Sequence, residues 1–226
     1  MEEVKYKMGA QDVNIKSASQ NKAAFHISKR IIDILGAIFG LISLSPLFLF
    51  ISIFYMFGEN KGPVFFKQIR IGKGGKEFYI YKFRSMVVNA EEKLKQDNEL
   101  YKKYIENSYK LEPHEDPRIT RFGRFIRATS IDEIPQLINV LKGEMSLVGP
   151  RPVVKEELKE YKDKVNEFLS VKPGVTGYWQ VSGRSSVGYP ERTNIELYYI
   201  YNQSFMLDIK ILLKTIIVVL FKRGAY

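Results

Sequence analysis

Apolar residues are spread unevenly along the chain. Residues 34–57 run for 24 positions without a charge. That is long enough for a membrane segment, and it lies too far from the start and runs too long for the apolar part of a signal peptide. A helix buried in a globular core usually keeps polar positions along one face over such a length. The middle of the run reads Ser43-Leu44-Ser45-Pro46. Proline removes a backbone donor and clashes with the preceding turn, and serine hydroxyls can satisfy the carbonyl it frees, so a helix is predicted to break at Ser45-Pro46. Downstream, two β-prone stretches at 64–70 and 78–83 flank Gly72-Lys73-Gly74-Gly75-Lys76, which predicts a hairpin. Residues 87–109, rich in Glu, Lys and Asn with sparse apolar positions, predict a mostly solvated helix. At 119–126, Ile119, Phe122, Phe125 and Ile126 alternate with Arg118, Arg121, Arg124 and Arg127, predicting an amphipathic helix with a basic flank. Residues 206–221 are strongly apolar, but Asp208, Lys210 and Lys214 interrupt them. Only seven uncharged positions follow Lys214, so an interfacial helix is expected there. The expected fold class is α/β, mainly helical. It divides into a tail at 1–27, a membrane helix-break-helix at 28–58 and a folded domain at 59–226 that ends in the interfacial helix.

Charge placement changes the reading of the apolar run. Lys29 and Arg30 precede it, and residues 59–86 carry seven basic residues against two acidic ones. Lysine and arginine stay on the cytoplasmic side, so both flanks belong on that face. A helix that enters, bends at Ser45-Pro46 and returns satisfies this. An ordinary single span with a tolerated kink is the alternative. Asp33 follows Lys29 by four and Arg30 by three positions, which sets it beside both cations on a helix surface. The Arg30–Asp33 pair is therefore expected to be structural, lowering the cost of a carboxylate in the interface.

The net charge of +10 predicts an anionic partner: nucleic acid, an anionic membrane surface or a phosphorylated substrate. Clustered aromatic residues for base stacking are absent, which argues against nucleic acid. The lack of cysteine excludes thiolate metal sites, and with two histidines, His26 and His114, the chemistry is expected to run on carboxylates, hydroxyls, Lys and Arg rather than on a histidine triad. The glycines at 72–75 do not make a phosphate-cradling loop, because the Gly-Lys-Ser/Thr ending and following helix are missing. Ser130-Ile131-Asp132-Glu133-Ile134-Pro135 is read as the start of a helix continuing through Leu141. Ser130 with Glu133 fits a capping box, and acidic residues suit a first turn. The same two carboxylates, close to Arg127 at a helix start, also suit a place where phosphates and a divalent cation gather. Local pattern leaves both readings open. Arg151, held between Pro150 and Pro152, and Arg184, at the end of a Gly/Pro-punctuated loop, add guanidiniums that could hold a diphosphate.

Taken in order, Lys29-Arg30-Ile31-Ile32-Asp33, Ser45-Pro46, Tyr81-Lys82-Phe83-Arg84-Ser85-Met86, Asp116-Pro117-Arg118-Ile119-Thr120, Asp132-Glu133, Gly149-Pro150-Arg151-Pro152 and the stretch 173–184 make a specific set. In these motifs the chain closely resembles the monotopic polyprenyl-phosphate phosphoglycosyl transferases, bacterial sugar transferases that initiate capsule, exopolysaccharide and O-antigen synthesis. The resemblance runs from Ser28 almost to the end. It implies that Asp132 attacks the β-phosphorus of a UDP-sugar, expels UMP and carries the sugar phosphate until undecaprenyl phosphate takes it. It further implies Mg²⁺ at Asp132 and Glu133, with Glu133 either binding the metal or moving a proton. Arg127, Arg151 and Arg184 are the implied phosphate clamps. Gly177-Tyr178-Trp179-Gln180 is similar to the branch using hexose, galactose or glucose. The implied location is the bacterial inner membrane, with the catalytic domain on the cytoplasmic face among membrane lipids. The rival reading is a membrane-anchored basic binding or adaptor protein without catalysis.

Overall fold

A computed structural model describes residues 24–106, 111, 115–183 and 187–220. Two helices open the described chain, α1 (Ala24–Ser43) and α2 (Ser45–Phe54), bent by 54° between them. Pro46 sits in the first turn of α2, where its missing N–H costs nothing. The Ser45 hydroxyl donates to Ile42 O at 2.8 Å and so satisfies a carbonyl left free at the break. No single described helix is long and apolar enough to cross a membrane, but α1 and α2 together pass that test as a bent pair.

The hairpin forms as β1 (Phe65–Ile71) and β2 (Glu77–Phe83), antiparallel with Gln68 opposite Ile80. The helix expected at 87–109 is two, α3 (Ala90–Gln96) and α4 (Asn98–Glu106). Asp97 is extended between them, and its Oδ1 accepts from Leu100 N at 3.0 Å, starting a new helix where the first one ends. Next come α5 (Arg121–Ala128), whose Thr120 side chain accepts from Gly123 N, and α6 (Gln136–Lys142). The segment before Arg151 holds β3 (Ser146–Val148) and the segment expected as a loop before Arg184 holds β4 (Gly174–Thr176), and the two strands pair in parallel. The short helices α7 (Val165–Phe168) and α8 (Tyr178–Ser182) flank β4, and α9 (Glu191–Tyr201) and α10 (Phe205–Leu220) close the described chain. The architecture is thus mainly helical, with two two-stranded sheets among the described residues.

Two core clusters fix the parts that matter for the site. Ala37 of α1 packs with Phe78, Ile80, Val140 and Met145, and Ile51 and Tyr55 at the end of α2 pack with Phe83 and Ile126. Gly36 lets α1 approach closely, since a Cβ there would lie 2.6 Å from Leu147 Cδ1.

The Arg30–Asp33 pairing gives way to longer-range contacts. Arg30 donates to Val140 O at 2.6 Å and Leu141 O at 2.9 Å, a planar fork on two carbonyls at the negative end of α6. Asp33 Oδ1 accepts from Ser146 Oγ at 3.0 Å and Leu147 N at 2.8 Å. Lys29 pairs with Asp208 of α10 at 2.5 Å. Sequence neighbours on one helix face were outcompeted because the carbonyls at the end of α6 and the backbone N–H and hydroxyl at the start of β3 match the planar guanidinium and the carboxylate more closely.

Candidate active site

Along β2, Phe78, Ile80 and Lys82 share one face of the pleat. The first two enter the core, and Lys82 brings its ammonium to the edge of it. Lys82 Nζ lies 2.7 Å from Glu133 Oε1 and 4.0 Å from Asp132 Oδ2. The strand is held in place by the fully buried Asn139 of α6. Its Nδ2 donates to Tyr79 O at 2.7 Å and its Oδ1 accepts from Tyr81 N at 3.0 Å.

Asp132 and Glu133 occupy a 3-10 turn, Ile131–Glu133, rather than the first turn of α6. The expected capping box is not formed. Ser130 has φ 56°, in the left-handed region, and its side chain makes no cap hydrogen bond. The chain has to fold back sharply between α5 and α6, and Pro135, without an N–H, ends the tight turn and leads into α6. As a result Asp132 is only 7% exposed. Burial pushes its carboxyl up to about 6. The charge on Glu133 adds to the rise, and Lys82, Arg127 and Arg151 pull the other way. Arg127 projects from the last turn of α5, and its Nε donates to Ser85 Oγ at 2.8 Å. Burial lowers the pKa of this guanidinium, against the opposing pull of Asp132.

Arg151 reaches the dyad from a different part of the chain, with Nη1 3.8 Å from Glu133 Oε1. Its loop crosses β4 at Gly174, whose N donates to Pro150 O at 2.8 Å. A Cβ on Gly174 would come within 2.1 Å of Gly149 N, so only glycine permits the crossing. The Arg151 backbone N donates to Glu196 Oε1 at 3.0 Å, and Glu196 is held in turn by Arg192 and by the Tyr161 hydroxyl. Glu157 joins this buried network through Arg192 Nη1 at 3.2 Å and Arg70 Nη1 at 3.4 Å. Burial alone would raise the Glu157 carboxyl, but the Arg192 and Arg70 guanidiniums outweigh it and hold the carboxyl below its ordinary range. The arginine-bearing loop is therefore fastened from behind.

The profile of the family described as "Bacterial sugar transferase" matches residues 24–222. The chain belongs to that family. A relative from Salmonella typhimurium named "Undecaprenyl-phosphate galactose phosphotransferase" is 47% identical over 208 residues, covering 91% of this chain and 43% of the relative. "Exopolysaccharide production protein ExoY" of Sinorhizobium fredii is 42% identical over 204 residues, covering 88% of each chain. "UDP-glucose:undecaprenyl-phosphate glucose-1-phosphate transferase" of Xanthomonas campestris pv. campestris is 39% identical, covering 89% of this chain and 40% of the relative. The chain thus spans under half the length of the Salmonella and Xanthomonas relatives, and most of the Sinorhizobium one.

Of the site residues expected for this family, the structure brings Asp132, Glu133, Arg127 and Arg151 together. Arg184 lies outside the described residues. The residue that sequence reasoning left as part of a basic flank is Lys82. Its signal was available: it continues the apolar face set by Phe78 and Ile80, where a charge needs a buried partner. The Glu157–Arg192–Glu196 network gave only an i, i+4 pair in sequence, which on most helices is a solvated feature. Among the described residues no group of three or more acidic or histidine side chains is placed to hold a metal. The donor set fits Mg²⁺ in its minimal form, one or two carboxylates with substrate phosphates and water completing the shell. Asp132 and Glu133 would hold it, with Lys82 already occupying one Glu133 oxygen.

Proposed function

We propose that this chain transfers a hexose-1-phosphate, galactose or glucose, from a UDP-sugar to undecaprenyl phosphate, as the first membrane step of exopolysaccharide or capsule synthesis. The observation that carries the reading is the Asp132 carboxylate. It is buried, kept ionisable near neutrality and faced by Lys82, Arg127 and Arg151. Those cations suit a diphosphate, and a desolvated carboxylate is a better nucleophile than a solvated one.

In the first step Asp132 Oδ attacks the β-phosphorus. The bond from that phosphorus to the bridging oxygen breaks, and UMP leaves with the oxygen and the electron pair. In the second step an oxygen of the lipid phosphate attacks the same phosphorus. The bond to Asp132 breaks, regenerating the carboxylate and leaving a lipid diphosphate sugar. Lys82 and Arg151 neutralise charge on the transferring phosphoryl group, and Glu133 holds Lys82 against Asp132 and can take a proton from the incoming phosphate. Magnesium, when bound, supplies further charge neutralisation and polarises the phosphoryl oxygen.

The acceptor is a membrane lipid, and the exposed apolar residues of α1 and α2, among them Ile31, Leu35, Phe39, Leu49 and Phe50, supply a surface for lipid. The bend at Ser45-Pro46 and the two basic flanks support a re-entrant pair on the cytoplasmic face of the inner membrane, with Met206, Ile209 and Leu213 of α10 lying at the interface. The test is UMP release from UDP-galactose or UDP-glucose in the presence of undecaprenyl phosphate, together with trapping of radiolabelled sugar phosphate on the protein. Both signals should vanish in Asp132→Asn. Turnover by that variant would remove Asp132 as nucleophile.

A further inference from the structure

Arg151 is fastened firmly at its backbone, but few polar contacts hold its side chain. Among the described residues the guanidinium makes no hydrogen bond. Its ion pair with Glu133 is 3.8 Å long, and the side chain is 34% exposed. A long side chain so lightly tethered samples several rotamers, and ordering it weakens the binding of any phosphate it meets. The contact that remains is aromatic: Arg151 Cζ lies over the Trp179 ring, 5.8 Å from its centroid.

That ring is anchored on other sides. Trp179 is buried, its Nε1 donates to Val187 O at 3.0 Å, and Arg192 Cζ lies 4.5 Å from the ring centroid. Arg192 is fixed in turn by Glu157 at 3.2 Å and Glu196 at 3.4 Å, and it lies 4.8 Å from the Tyr189 ring. Its Nη2 is buried without a hydrogen-bond partner, so the two rings supply the attraction that a polar partner would. Glu196 also accepts from the Arg151 backbone N, so the ring and the backbone anchor belong to one buried assembly.

The choice of an aromatic support has a chemical consequence. A carboxylate or carbonyl in its place would occupy N–H groups of Arg151. A ring attracts the cation through its face and leaves the five donors of the guanidinium for phosphate oxygens. At 5.8 Å the contact is near the outer limit of about 6 Å for such attraction, so it serves orientation more than energy.

We propose that Trp179 is a positioning residue for Arg151, holding the guanidinium beside Glu133 with its donors free for the β-phosphate of the nucleotide sugar; this rests on the transferase reading above.

The full chain in detergent with Mg²⁺ is titrated calorimetrically with UDP, which carries a β-phosphate, and with UMP, which does not. In Trp179→Leu the Kd for UDP should rise at least about threefold, and in Trp179→Phe, which keeps an aromatic face, by less. The Kd for UMP should stay within about twofold of wild type, whereas a collapsed site would weaken both nucleotides alike. With Arg151→Met already in place, Trp179→Leu should change the Kd for UDP by less than about twofold, because the group it positions is gone. Trp179 is the only tryptophan, so its emission is a direct signal. UDP should change that emission in wild type and leave it nearly unchanged in Arg151→Met. If Trp179→Leu does not fold, tetrafluorotryptophan at this position keeps the shape and the N–H while weakening the negative ring face, and the same rise is expected. Unchanged UDP affinity, equal weakening of UMP, an additive loss in the double variant or emission blind to UDP in wild type each overturns the proposal. A wild type that releases no UMP from any UDP-sugar with undecaprenyl phosphate removes the transferase reading instead.

Discussion

Asp132→Asn should make the protein more stable, and increasingly so as pH rises. Burial lifts the Asp132 carboxyl from 3.8 to about 6. A carboxyl whose pKa is higher folded than unfolded stabilises the fold below the unfolded value, and that contribution is lost as pH rises through the folded one. A shift of about two units is worth about 3 kcal/mol, so above pH 7 the ionised wild type is less stable by that amount than a neutral isostere. At pH 5, between the two pKa values, roughly half the penalty is present, and at pH 4 little remains. The attraction of Lys82 is already contained in this balance, and in the variant Lys82 keeps Glu133 at 2.7 Å as its partner. For a chain of this size about 3 kcal/mol corresponds to roughly 6–12 °C in Tm. The single tryptophan, Trp179, stacks near Arg151 and reports unfolding by fluorescence in detergent. The gap between variant and wild type should be small at pH 4 and widen to its full value by pH 8. A gap independent of pH, or a variant that melts lower at pH 8, would refute the assignment of a desolvated carboxylate.

The same titration controls chemistry: kcat/KM for UDP-sugar should rise with pH through an acid limb near 6, and activity flat from pH 5 to 8 would count against Asp132 reacting as the carboxylate. Lys82→Met removes the strongest pull on that carboxylate, so the limb should move up by about one unit or more, while Lys82→Arg keeps it near its wild-type position. The chain has no cysteine, so single cysteines in place of Ile27 and Lys61 can be probed in intact cells. A re-entrant pair predicts that a membrane-impermeant maleimide reaches neither from outside, and labelling of either one indicates a single span. Chelation of divalent ions should abolish UMP release and added Mg²⁺ should restore it; full activity in excess chelator would exclude the metal.

How far each feature could be read from sequence depended on whether its cause is local. The hairpin was legible because alternation and a glycine-rich turn act over a few residues, and the helix break was legible because Pro46 forbids the continuing bond wherever it sits. Arg30 and Asp33 misled because i, i+3 spacing guarantees proximity but not preference. The deciding carbonyls and amides belong to α6 and β3, more than a hundred residues away. Ser130 and Glu133 misled similarly. The capping pattern is satisfied in sequence, yet the fold needs Ser130 in a left-handed turn and gives Glu133 to Lys82. The dyad became legible only through the order of surrounding motifs, and its environment, burial against three cations, is a tertiary property.

That environment also explains why the apolar segment is bent where it is. The turn carrying Asp132 lies between two walls, α5 with the end of β2 on one side and α6 with the start of β3 on the other. Helix α1 holds the second wall. Arg30 caps α6, Asp33 binds the start of β3, and Ala37 packs with Val140 and Met145. The end of α2 holds the first, with Ile51 and Tyr55 packed on Phe83 and Ile126 and the Tyr55 hydroxyl donating to Arg84 O. A straight helix through these residues would carry α2 away from the first wall, since the 54° turn at Ser45-Pro46 is what directs it there. The break thus serves the geometry around Asp132 whatever surrounds the apolar surface, and the exposed apolar segment is part of the scaffold around Asp132 rather than a tether attached to it.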